Sequence, residues 1–305
     1  MKRKEFILKS IKAGLITGTV LSIGNYEEIF AGTATPLPFD LVAVRDGEPD
    51  IMLDKALEAL GGMQKFVKKG QSVVIKPNIG WDVPPEKGAN TNPLLIKRLI
   101  EHCFNAGARE IYVFDNTCDN WTACYKNSGI EKAAKESGAK IAPGHSESYY
   151  QEINVAGGKN LKNAKVHELI LQSDVFINVP VLKSHSSAKV TISMKNLMGI
   201  VWDRRFWHRN DLNQCIADFA TYRKPDLNIV DAYNVMTRNG PRGVSAADVI
   251  NMKYLIVSPD MVAADAAAAK LFGMEPQQVN YIQLAHDMGV GQMDLTKLNI
   301  GRIKI

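Results

Sequence analysis

The chain has 305 residues, 46% of them apolar and 23% charged, with a formal charge of +5 and four cysteines. That length can bury a sizeable core, and the balance of apolar and charged residues excludes an intrinsically disordered chain. Much of the basic excess lies at the start, in Lys2, Arg3, Lys4, Lys9 and Lys12, so net charge gives no case for a nucleic-acid partner.

Residues 1–34 read as an export signal. A basic stretch, MKRKEFILKSIK, precedes a short apolar one, AGLITGTVLSIG, and the small residues of AGTAT follow. This is the order of a secretory signal, and the apolar run is too short to span a bilayer comfortably. Arg3-Lys4-Glu5-Phe6-Ile7-Leu8-Lys9 resembles the twin-arginine type of signal, with Lys4 in place of the second arginine. The expectation is an exported protein, periplasmic or extracellular, with 35–305 as a single domain. The alternative is an amphipathic N-terminal helix that is retained.

Beyond the signal, β-rich runs alternate with amphipathic ones. LVAVRD, SVVIKPN, EIYVFDN and the short AKIAP read as strands, separated by helical patterns in DIMLDKALEALGGMQKFV, NPLLIKRLIEHCFNAG and NSGIEKAAKESG. A polar, irregular middle runs from about Gly144 to Leu171, with VHELIL as a short helix. DVFINVPVL then resumes the strand series, the second half of RRFWHRNDLNQCIADFATYR is helical, and DLNIVDAYNVM and MKYLIVSPD are two further strands. DMVAADAAAAKLFG and PQQVNYIQLAHDMG supply the last helices. The pattern predicts an α/β fold: a mostly parallel sheet flanked by helices, Rossmann-like but elaborated.

Polar residues recur where these strands end. SVVIKPN closes on Lys76 and Asn78, EIYVFDN on Asp115 and Asn116, DVFINVPVLKSH on Lys183 and His185, DLNIVDAYN on Asp231 and Asn234, and MKYLIVSPD on Asp260. In a parallel sheet those ends share one edge, where ligands bind. Lys195 and Asn196, in TISMKNLMGI, are expected nearby. Asp260 reads more simply as the cap of the helix that starts at once.

Three lysines (Lys76, Lys183 and Lys195) would suit a carboxylate or phosphate. Asn78, Asn116 and Asn196 would orient the ligand. A lysine crowded by lysines favours its neutral form and can act as base or nucleophile, with His185 as a further proton carrier. Asp115, Asp231 and His185 could instead hold a divalent metal. In WDRRFWHR, His208 and Arg209 are candidate ligand contacts on a lid or rim. The spacing does not choose between anion and metal.

Cys103, Cys118, Cys124 and Cys215 form no C-x-x-C pair, which leaves no iron–sulfur or zinc-ribbon motif. Cys118 and Cys124 are near enough in sequence to pair, which spacing cannot decide, and Cys103 lies on an apolar helix face. Nucleotide-binding glycine loops and a nucleophile elbow are absent from the sequence.

The stretches VVIKPNIG, AGAREIYVFDN, DVFINVPVLKSH, VTISMKNLMGI, DLNIVDAYNVMTRNGPRG and LIVSPDMVAADAAAAKLFG, in that order, resemble the uncharacterised domain-of-unknown-function family three-six-two. The likeness runs from about Leu41 to the C-terminus. It implies recurring polar positions at Lys76, Asn78, Asp115, Lys183, His185, Lys195, Asn196, Asp231 and Asp265. Some relatives add a ferredoxin-type module whose cysteine motifs this chain lacks, and many carry twin-arginine signals. The resemblance names no reaction. Three readings stand: an exported enzyme on a small anionic substrate, placed first; a metal or iron–sulfur-associated protein serving a redox partner; and a non-catalytic anion-binding protein.

Overall fold

Period-two burial organises the fold. In the computed structural model, which describes residues 37–305, Val73 and Ile75 join one buried apolar cluster while Val74 joins another. Val175 and Ile177 are separated from Phe176 in the same way, and Leu255 and Val257 from Ile256. Successive strand side chains point to opposite faces. The sheet is therefore covered on both sides, which is why its strands read as continuous apolar runs. The export signal, residues 1–34, lies outside the described residues.

In chain order the elements are β1 (Leu41–Arg45), α1 (Pro49–Ala59), β2 (Ser72–Pro77), α2 (Pro93–Asn105), β3 (Glu110–Val113), α3 (Trp121–Asn127), α4 (Ile130–Glu136) and β4 (Lys140–Ile141). There follow β5 (Tyr150–Asn154), β6 (Asn163–His167), α5 (Glu168–Gln172), β7 (Val175–Val179), β8 (Val181–His185), β9 (Lys189–Thr191), α6 (Ser193–Asn196) and α7 (Arg204–Arg209). The last are α8 (Leu212–Ala220), β10 (Leu227–Met236), β11 (Val249–Ser258), α9 (Met261–Leu271), α10 (Asn280–Asp287) and β12 (Ile300–Lys304).

The main sheet has the order β12-β1-β11-β10-β7-β2-β3-β4, with β8 and β9 attached through β10. From β10 to β4 every neighbour is parallel. β11 runs antiparallel to both β10 and β1, and β12 pairs with β1 in parallel. The expected α/β fold with a mostly parallel sheet is thus the observed one.

Three local expectations change. The run DVFINVPVLKSH is two strands: Pro180, which has no N–H to give to a ladder, falls between β7 and β8. β8 pairs with β10 in parallel and with β9 in an antiparallel hairpin, so Lys183 and His185 lie within a strand, not beyond one. The reversal of β11 carries Asp260 to the opposite edge from Lys76 and Asp115. There its carboxylate caps α9, the role its sequence context predicts, accepting from Val262 N at 2.8 Å and Ala263 N at 3.1 Å. The polar middle segment contains the β5–β6 hairpin, followed by a one-turn helix.

Phe176 sits fully buried in β7, between β2 and β10. Phe176→Ala is expected to cost about 3–5 kcal/mol, the range for emptying a large aromatic site in a core, whereas Val244→Ala, at an 81% exposed position, should stay within about 0.5 kcal/mol. Urea unfolding of both variants checks the contrast.

Candidate functional site

Three parallel strands bring their ends together. β2 delivers Lys76 and, just past its end, Asn78; the segment after β3 delivers Asp115; β8 delivers Lys183 and His185. With Lys195 and Asn196 from α6, all seven line one cavity of about 380 Å³. Gly80, Trp81, Cys118, Thr191, Met198, Gly199, Arg204, Arg205, His208 and Pro241 complete the lining.

The centre of this arrangement is an ion pair. Lys76 Nζ lies 2.9 Å from Asp115 Oδ1, with the two side chains 1% and 3% exposed. The contact is off the line of a hydrogen bond, so Asp115 Oδ1 gains charge attraction without a well-aimed donor. Asp115 Oδ2 accepts the Ile79 N–H at 2.7 Å. Lys76 Nζ also donates to Asn196 Oδ1 at 2.8 Å, and the Asn78 amide donates to that same oxygen at 3.0 Å. Asn196 in turn donates to Asn178 Oδ1 at 2.8 Å, and Asn178 to Asn228 Oδ1 at 3.1 Å. This amide chain runs from the cavity into the sheet and leaves few buried polar atoms unpaired, as low-dielectric surroundings require.

Gly199 makes the ion pair possible. A Cβ at this position would fall on Asp115 Oδ1 and within 2.6 Å of Lys76 Nζ. The lysine and asparagine four and three residues earlier are set by another buried group. Asp265 accepts the Ser193 N–H at 2.7 Å and the Met194 N–H at 3.0 Å, tying the start of α6 to α9. Burial pushes the Asp265 carboxyl up to about 7.

The three amines differ in partners and in acidity. Burial pulls Lys76 below the usual lysine range, and the Asp115 carboxylate opposes that pull. Lys183, 1% exposed, donates to Asn78 Oδ1 at 3.1 Å and to the Ala89 carbonyl. Burial brings it down to about 7, with Lys195 and Lys76 adding repulsion and Cys118 opposing it. Lys195, 9% exposed, is brought to about 8 by burial, with the charges of Arg204 and Lys76 acting in the same sense.

His185 is held as a neutral donor. Its Nδ1 accepts the N–H groups of Ser187 at 3.1 Å and Ala188 at 3.2 Å, so the ring proton must sit on Nε2. Burial lowers its pKa to about 3, helped by the charges of Lys195, His208 and Lys183.

Two expected site residues belong elsewhere. Asn116 is absent from the cavity lining: its side chain donates to Val201 O at 3.1 Å, and its carbonyl accepts from Arg204 Nη1 at 2.7 Å. It holds the arginine that lines the cavity. Asp231 is also outside the lining. Its carboxylate accepts the N–H of Asn92 at 2.7 Å and of Tyr233 at 3.0 Å, and burial pushes it up to about 6.

The proposed metal set does not fit. The Asp115 and Asp231 oxygens are committed to Lys76 and to backbone N–H groups, and His185 Nδ1 to its own turn. Among the described residues no group of three or more His, Cys, Asp or Glu is gathered as a metal ligand set.

Trp81, Arg204 and Arg205 line the cavity without any motif or strand-end position in the sequence to mark them for it. Arg204 also donates to Thr117 O at 2.6 Å, fixing α7 to the segment between Asp115 and Cys118. Of the two rim candidates, His208 lines the cavity and Arg209 does not. Cys118 and Cys124 are both free thiols, and Cys118, the exposed one, lines the cavity.

Gly199→Ala is expected to destabilise by roughly 3–5 kcal/mol, the cost of disrupting a buried ion pair, read from denaturant midpoints. The amines give a signed pH dependence. Between a native value of about 7 or 8 for Lys183 and Lys195 and an unfolded value of about 10.4, the unfolded chain holds protons that the native state lacks. The contribution of these two lysines is therefore lowest below pH 7 and rises towards pH 10, by up to about 1.4 kcal/mol per pH unit for each. Unfolding curves for the wild type and for Lys183→Met plus Lys195→Met should diverge across that window; parallel curves would mean that both amines stay protonated.

Known proteins are similar to this chain at several levels. Residues 73–270 match the family described as Domain of unknown function (DUF362). Thylakoid-associated protein sll1697 of Synechocystis is 24% identical over 242 residues, which cover 77% of this chain and 73% of that protein. Among solved structures, the lactate racemase apoprotein from Thermoanaerobacterium thermosaccharolyticum is 13% identical with a TM-score of 0.46, covering 70% of this chain and 53% of its own. A structural-genomics protein from Thermotoga maritima is 12% identical with a TM-score of 0.43, covering 75% and 60%. The chain thus spans about half the length of the racemase structure. Among the described residues no helix is long and apolar enough to cross a membrane. With the family match spanning residues 73–270, well over half of its length, the chain belongs to the DUF362 family.

Proposed function

We propose that this protein is an enzyme acting on a small anionic substrate, a carboxylate or a phosphate, in the cavity around Lys183 and Lys195. The observation that carries the reading is the charge imbalance of the lining. Lys76, Lys183, Lys195, Arg204 and Arg205 face a single carboxylate, Asp115, which is already paired. A partly desolvated cavity of that composition favours an anionic guest, and each arginine offers a planar fork for it. About 380 Å³ is room for a small metabolite.

Within this reading, Lys183 is the group that moves a proton. In its neutral form both amine hydrogens can be given to Asn78 Oδ1 and the Ala89 carbonyl, which leaves the lone pair free. A value of about 7 suits a general base or acid at neutral pH. His185 does not share that task. Its Nε2–H is a fixed donor, fitted to an anionic oxygen of the substrate or to negative charge developing on one. Lys76 stays a structural cation.

Export of the protein, with 35–305 as the working domain, is proposed from the N-terminal sequence. Its test is the N-terminus of the secreted or periplasmic form, expected within Ala31–Thr35.

Sulfate titration followed by thermal shift and calorimetry tests the anion reading. Saturable stabilisation is expected at pH 6, with affinity falling at least about tenfold by pH 9 as Lys183 and Lys195 lose their protons. Lys183→Met should weaken binding while keeping the fold. Affinity that is the same at both pH values and in the variant would remove the cavity as the anion site.

A further inference from the structure

The three cavity amines are not equally free to react. Lys76 Nζ is committed to Asp115 Oδ1 at 2.9 Å and Asn196 Oδ1 at 2.8 Å. Lys183 Nζ is committed to Asn78 Oδ1 at 3.1 Å and to the Ala89 carbonyl. Lys195 Nζ meets no oxygen acceptor among the described residues; its polar neighbour is Met198 Sδ at 3.6 Å, a weak acceptor. Yet it is 9% exposed and lines the cavity.

Conversion of an amine to an imine consumes N–H bonds. At Lys183 or Lys76 that would strip donors from buried oxygens and leave them unpaired, which is costly. At Lys195 only a thioether loses its contact. The backbone beneath it is fixed by Asp265 through Ser193 and Met194, so the amine is presented from a rigid turn.

We propose that Lys195 Nζ is a covalent site, forming an imine with the carbonyl group of an anionic carbonyl compound: a 2-oxo acid, or a phosphorylated aldehyde or ketone. The inference rests on the anion-binding reading of the same cavity and deepens it by naming the group that reacts.

The step balances with groups present in the cavity. The Lys195 lone pair adds to the carbonyl carbon, forming the C–N bond and sending the C=O electron pair to oxygen. A proton passes from nitrogen to that oxygen, giving a carbinolamine. The C–O bond then breaks as nitrogen forms the C=N bond, and the leaving oxygen takes a proton from the Lys183 ammonium to depart as water. Amine, carbonyl and one proton become iminium and water, and nothing is oxidised or reduced. Burial favours the neutral Lys195 that the addition needs. Arg204 and Arg205 also line the cavity and offer planar guanidinium forks to the substrate's anionic group.

The test uses the full chain with sodium cyanoborohydride and, in separate arms, pyruvate, 2-oxoglutarate or glyceraldehyde 3-phosphate, followed by intact mass and peptide mapping. One reduced adduct is expected, on Lys195, at occupancy at least about tenfold above any other lysine. Excess sulfate should suppress it, and Lys195→Arg, checked for folding by circular dichroism, should abolish it. The arm that labels tells whether the anionic group is a carboxylate or a phosphate. Labelling spread over surface lysines, or equal labelling in folded Lys195→Arg, overturns the proposal. If sulfate stabilises the wild type but no arm gives an adduct, the imine falls and the anion reading stands. If neither is seen, both fall.

Discussion

The Lys76–Asp115 ion pair is the interaction on which the geometry of the cavity depends. Its two members come from β2 and from the segment just past the adjacent parallel strand β3, and each makes a second contact that shapes a different part of the site. Through Oδ2, Asp115 holds the Ile79 N–H and so fixes the start of the loop after β2. That loop carries Asn78 and Ala89, the two oxygen partners of Lys183. Through Asn196, Lys76 reaches the turn that carries Lys195. Buried ion pairs are weak contributors to net stability, because desolvation offsets much of their attraction. Here the pair acts on position: it brings three distant chain segments to one point.

The cost of desolvating amines is spread over a polar network that enters the sheet itself. Asn178 and Asn228 stand side by side on β7 and β10, in register and fully buried. Their amides link Asn196 across β7 and β10 to the backbone at the end of β11 without adding charge. Asp265 does comparable work from α9, where its carboxylate serves two N–H groups and faces no cation of its own. A carboxyl raised to about 7 by burial is an expensive cap for a one-turn helix. What that cap secures is the position of Lys195 and Asn196, which a solvent-exposed turn could not hold. The cavity's ligand-facing groups are thus backed by residues that never touch a ligand.

Much of the fold and part of the site could be read in the sequence, and the boundary between the two has physical causes. Strands buried on both faces leave long apolar runs, and helices between them leave a 3.6-residue period, so the α/β pattern was plain. Lys76, Asn78, Asp115, Lys183 and His185 were legible because each interrupts or ends such a run. Strand direction is another matter. Nothing local to MKYLIVSPD says that β11 runs antiparallel, and direction alone decides which edge receives Asp260. Asn116 and Asp231 were misplaced for a related reason: a strand end puts a residue near the edge, and the neighbouring backbone then decides whether its side chain faces the cavity or satisfies an N–H. Arg204, Arg205 and Trp81 come from segments whose path depends on tertiary contacts, which no period reports. The asparagines of β7 and β10 carried a usable signal, a carboxamide inside an otherwise apolar strand, that implied a buried partner.

A crowd of like charges also assigns its members different tasks, and not those that residue type suggests. Histidine is the usual neutral-pH proton carrier because its ordinary pKa lies there. In this cavity the same burial and positive field that bring Lys183 to about 7 push His185 to about 3, out of the range in which it could exchange protons. Its own turn completes the change by occupying Nδ1. The imidazole becomes a fixed N–H donor, and the lysines, ordinarily permanent cations, become the groups that titrate. That inversion requires the amines to be mutually close and dry. Any change that admits water or adds an unpaired carboxylate would return the lysines towards their ordinary values and the histidine towards its own. The scarcity of acidic residues around the cavity is therefore as much a part of its chemistry as the lysines.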